Sequence, residues 1–122
     1  MNKTDKSQIF DALKPILARY SESLSIIVDN GESYHLETQH AMKNKKNLFF
    51  GAVHIKKNYV SYHLMPVYIN PELLTSISST LIKRMQGKSC FNFKRIDSEF
   101  IDELSSLTES GYRYYVEQGY IL

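Results

Sequence analysis

Apolar residues at Ile9, Phe10, Leu13, Ile16, Leu17 and Tyr20 recur at helical spacing. They predict an amphipathic helix capped at Thr4, with Asp5 as a first-turn acid. Pro15 removes the bond its N–H would give to Asp11, so a kink or break is expected near Lys14. The period then changes to two. Around Asp29-Asn30-Gly31, a two-residue Asn-Gly turn pairs Ile26 with His35 and Leu24 with Glu37. A three-residue loop with Gly31 left-handed pairs Ile26 with Tyr34 and Leu24 with Leu36. The second register gathers the apolar residues on one face and is the expected one. Residues 39–47 read as a flexible basic loop.

A second hairpin, turning tightly at Lys57-Asn58, aligns Ile55 with Val60, Val53 with Tyr62 and Gly51 with Leu64 as a core face. The other face receives Phe50, Ala52, His54, Ser61, His63 and Met65, with His54 and His63 diagonal neighbours about 7–8 Å apart. Helix starts at Asn70 and Ser78 lead to Lys83 and Arg84, with Gly87 as a left-handed stop. The stretch from Cys90 to Lys94 alternates: Phe91 and Phe93 point inward, Cys90, Asn92 and Lys94 outward. A closing helix from Ser98 carries Phe100, Ile101, Leu104 and Leu107 on one stripe and weakens at Gly111. This order predicts an α+β two-layer sandwich in a single domain, 1–122. Its sheet is mainly antiparallel, of about five strands, with the N- and C-terminal helices on one face. The pattern leaves open how the strand at 90–95 pairs, and whether the helices at 71–86 cover the second face.

The segments LFFGAVHIKKNYVSYHLMP, residues 48–66, and LIKRMQGKSCFNF, residues 81–93, resemble the YdhG-like domains of unknown function in the frataxin-like superfamily. The resemblance extends over roughly residues 8–116. It implies helices packed on one face of an antiparallel sheet and brings no established reaction. Frataxin-type iron chaperones present an acidic ridge on the first helix. Here Asp5, Asp11 and Glu22 are matched by Lys3, Lys6, Lys14 and Arg19, so the ridge is missing.

Charge separates the chain into blocks. Residues 48–95 hold seven Lys/Arg against one acid, Glu72, whereas residues 96–122 hold one cation, Arg113, against six acids. The basic block attracts either an anion or the chain's own acidic tail. With 43% hydrophobic residues, three prolines and five glycines, the composition is that of an ordinary globular domain. No apolar run is long enough to span a bilayer, and the N-terminus lacks the apolar core of a secretion signal. A single cysteine forms no internal disulfide and fits a reduced, cytoplasmic compartment. No membrane partner is expected.

The chemistry that remains is polar and scattered. Phosphate-loop, HExxH and GxSxG patterns are missing, so no cofactor is called for and a non-enzymatic role is preferred to an enzymatic one. The leading reading is a binding module for a small anionic ligand or an acidic partner segment. Its residues are Lys88, Ser89, Asn92 and Lys94, with His54, Ser61 and His63 nearby on the open face. The alternative is a metal carrier or metal-dependent enzyme using His54, His63 and Glu37, with His35 on the same face. Cys90 reads as an inert, partly buried thiol. Tyr59 and Tyr68 beside the basic block give only a weak nucleic-acid pattern, which speaks against that partner. Ile27, Phe50 and Met65 on the open face, with Tyr112, Tyr115 and Tyr120 in the tail, predict a weak homodimer.

Overall fold

A computed structural model describes residues 6–121 of the chain. The expected cap at Thr4 and Asp5 lies outside them. The first helix, α1 (Lys6–Ala18), buries Ile9, Phe10, Leu13, Ile16 and Leu17 and runs unbroken through Pro15, so of the kink or break expected near Lys14 the break does not occur. One missing hydrogen bond costs less than the burial of Ile16 and Leu17 beyond it returns.

Six strands follow: β1 (Ser25–Asp29), β2 (Ser33–Ala41), β3 (Asn47–Ile55), β4 (Val60–Leu64), β5 (Met85–Gln86) and β6 (Cys90–Phe93). They form one antiparallel sheet in the order β1-β2-β3-β4-β6-β5. The fold is thus the expected α+β arrangement. The strand at Cys90–Phe93 pairs antiparallel with β4, and Met85–Gln86 adds an edge strand that the sequence reading did not separate from the preceding helix.

The β3–β4 hairpin has the predicted register, with Ile55 opposite Val60, Val53 opposite Tyr62 and Gly51 opposite Leu64. The first hairpin does not. Ile26 faces Leu36 rather than Tyr34, and Gly31 is not among the left-handed residues. Asn30 Oδ1 accepts from the N–H groups of Glu32 and Ser33 at 2.8 and 2.9 Å, and Asn30 N donates to Ser33 O. This side-chain-closed turn needs no left-handed residue, and an irregularity between Ile26 and Val28 absorbs the offset.

A second irregularity, in β3, moves Phe50. Leu36 faces Gly51 but Glu37 faces Phe49, so Phe50 is the unpaired residue of a bulge. Its side chain therefore turns toward the helices and is fully buried, with edge contacts to Tyr20, Tyr112 and Tyr115. Phe49 takes the open-face position that alternation assigned to Phe50. Tyr115 Oη donates to Phe49 O at 2.7 Å, and Thr38 Oγ1 to Leu48 O at 2.9 Å, so side chains bond the two consecutive β3 carbonyls that precede Phe50.

The expected loop at residues 39–47 is present but shorter, spanning 42–46 between β2 and β3. β2 extends to Ala41, and a turn closed by Met42 N to Lys46 O and Lys45 N to Met42 O leads into β3, with Lys45 left-handed at φ 68°. After β4 come α2 (Met65–Ile69), a 3₁₀ turn (Pro71–Ser76) and α3 (Ser79–Ile82), capped by Ser78. The helical stretch stops there. Gly87, left-handed at φ 79°, turns the chain between β5 and β6 instead of ending a helix. The 3₁₀ turn packs on α2 and α4 (Ser98–Glu117), while Leu81 joins the main core, so this segment lies on the helical side of the sheet.

α4 is capped by Asp97, whose Oδ1 accepts from Phe100 N, and continues through Gly111 to Glu117. The helix does not end at Gly111. The residue stands where a Cβ would come within 2.9 Å of Pro66 Cβ, so the absent side chain lets α4 close onto α2. In the tail, Tyr115 is buried and Tyr112 and Tyr120 are half-buried, while Val116 stays exposed. The surface expected to drive dimerisation has therefore lost Phe50 and Tyr115 to the core.

Candidate functional site

With both long helices on one side, the other side of the sheet has no second layer built from α1 or α4. Strand pairing arranges its side chains in two rows. One row runs Ser33, His54, Ser61, Asn92 across β2, β3, β4 and β6; the next runs His35, Ala52, His63, Cys90 and ends at Gln86. Directly opposed residues share a face at about 4.5–5.5 Å between Cβ atoms. Ala52 and Ser61 are small and buried, and larger half-buried side chains surround them. The result is a shallow basin with a small-residue floor.

Hydroxyl groups fix the imidazoles. His54 Nδ1 is 3.0 Å from Ser33 Oγ, and His63 Nε2 is 2.7 Å from Ser89 Oγ. Burial lowers the pKa of both rings, assisted for His54 by the charges of Lys56, His35 and His63 and for His63 by those of His35 and Lys56. Both are neutral near pH 7. The Cys90 thiol is pushed up by burial, against smaller opposing effects of a Ser61 hydrogen bond and Lys56. It is a protonated thiol at 3.6 Å from Asn92 Oδ1, unsuited to nucleophilic work.

Phe49 bridges this basin at one end. Its ring is 4.7 Å from that of His35 and meets that of His63 edge-on at 5.2 Å. His35 Nε2 lies 3.3 Å from Glu37 Oε2, yet the atom is buried and makes no hydrogen bond.

The structure thus brings together His54, Ser61, His63, Ser89 and Asn92 of the sequence-derived set. Lys88 and Lys94 are exposed, on the β5–β6 turn and just past β6. The cation whose field reaches His54, His63 and Cys90 is Lys56, which sequence reading counted only as part of a block. Lys6 Nζ donates to the carbonyls of Lys56 and Lys57 at 2.9 and 2.7 Å, tying the β3–β4 turn to α1. The position of Lys56, two residues beyond His54 and hence on the same face, was the available signal.

The metal alternative gains no geometry. Glu37 sits beside His35, while His54 and His63 bond to different serines. Among the described residues no three His, Cys, Asp or Glu side chains are grouped to hold an ion.

No protein-family model matches the chain. No curated protein and no solved structure matches it either. No helix among the described residues is long and apolar enough to cross a membrane.

Proposed function

We propose that the chain is a YdhG-like, non-enzymatic binding module whose open sheet face holds a small anionic ligand or an acidic segment of a partner. The observation that supports this is the combination of Lys56 with two serine-anchored, neutral imidazoles over a small-residue floor. Neutral histidine, serine and asparagine side chains supply directional hydrogen bonds, and the ammonium group supplies the charge. Lys88 and Lys94 add long-range attraction at the margin.

The test is a titration of the labelled protein, followed through its histidine ring resonances. Millimolar inorganic phosphate is expected to move His54 and His63, with a weaker response in Lys56→Gln. Movement of the same rings by micromolar Zn²⁺ or Fe²⁺, with phosphate compounds inert, replaces this reading with the metal one.

A further inference from the structure

Where the polar rows end, the surface becomes apolar. Phe49 forms one wall of a groove of about 570 Å³ whose other apolar walls are Met42, Leu48, Met65, Tyr68 and Ile69. That volume is in the range of small-molecule sites, roughly 300–1,000 Å³. Three of its side chains are large apolar groups left in water: Met42 is 36%, Tyr68 54% and Ile69 36% exposed. Exposed apolar groups gathered around one concavity signal a contact surface more than scattered ones do. Two of the walls are methionines, whose flexible thioethers adapt to varied apolar shapes. The bonded turn at Met42–Lys46 and the helix α2 hold the two sides apart.

We infer that this groove and the polar basin form one site, which takes an amphiphilic anion: an acidic head beside His63 and an aliphatic or aromatic body over Phe49 in the groove. This rests on the reading of the open face as an anion-binding surface. Phe49 supplies the continuity, since it lines the groove and touches both His35 and His63. Charge sets the direction. Glu37, the one acid lining the groove, stands at its junction with the basin and disfavours an anionic head inside the groove. The field of Lys56 reaches His63 on the far side of Phe49 and favours the head there. Lys46, on the groove's outer rim, is the competing cation.

The experiment uses the full chain and the n-alkyl carboxylates acetate, hexanoate and decanoate, below micellar concentrations, with inorganic phosphate as the headgroup control. Affinity is expected to tighten by about fourfold for each methylene that enters the groove. Decanoate is expected to move the methyl resonances of Met42 and Met65 together with the His63 ring. Tyr68→Ala, at an exposed position, is expected to reduce the gain with chain length while leaving the phosphate response intact. Equal affinity along the series overturns the inference and leaves the anion-binding reading standing if phosphate still moves His54 and His63. A chain-length gain with no histidine response to any anion overturns both. If Lys46→Gln weakens decanoate and Lys56→Gln does not, the head lies at the outer rim and the single-site inference is wrong.

Discussion

Ser89 Oγ and His63 Nε2, 2.7 Å apart, tie the turn entering β6 to the imidazole in the middle of the open face. Ser89→Ala is expected to cost about 0.5–1.5 kcal/mol of stability and to release the ring from its fixed orientation. A lower denaturant midpoint with altered His63 ring shifts is the expected pair of results. Unaltered ring shifts would show that the serine does not position it.

Stability should also depend on these rings. His54 and His63 both have folded-state pKa values below the ordinary 6.5. Below 6.5 the unfolded chain takes up protons that the folded rings refuse. Their contribution is therefore complete above 6.5 and is lost as pH falls from there toward the lowered folded values. Urea midpoints measured from about pH 7.5 down to about pH 5 should decline, and the decline should be shallower in a His54→Gln, His63→Gln double variant. An identical slope in the two proteins would assign the pH dependence to other groups.

Gly111→Ala should run against helix propensity. In an open helix the change stabilises by about 1 kcal/mol. Here the new methyl meets Pro66 Cβ at 2.9 Å and Cγ at 3.0 Å, and a proline ring has little freedom to move aside. Overpacking of this kind costs about 1–3 kcal/mol, so a net loss is expected in thermal or denaturant unfolding. A gain in stability would mean that α4 and α2 separate easily.

Leu104 is fully buried on the apolar stripe of α4. Leu104→Ala should cost about 2–5 kcal/mol, a large share of the total for a small domain. An unmoved denaturant midpoint would contradict the packing of α4 against the sheet.

Legibility in the sequence followed the range of the interactions involved. The β3–β4 register was readable because a two-residue turn and strict alternation determine it locally. The orientation of Phe49 and Phe50 was not, because a bulge adds one residue and exchanges inside for outside from that point. Tyr115 and Thr38 bond the β3 carbonyls just before that bulge, the first from α4 across the fold and the second from the neighbouring strand β2. Likewise, the pairing that sets Cys90 beside His63 depends on a strand arriving after three short helical segments. His54, Ser61 and His63 were placed on one face of the sheet by alternation alone. Lys56 was missed as an individual because a count of charges gives every lysine equal weight, whereas its field at the histidines depends on distance.

The alternation within β4 separates two kinds of constraint. Val60, Tyr62 and Leu64 are sealed in the core, while Ser61 and His63 point to the opposite side. His63 is half-buried and tied to Ser89, so replacing it alters the open face at a limited cost in stability, whereas Ser61 is nearly as enclosed as the first three and has little room for a larger side chain. One five-residue strand thus ranges from sealed to half-open on adjacent positions, so a change at His63 alters the face of the sheet before it alters the architecture.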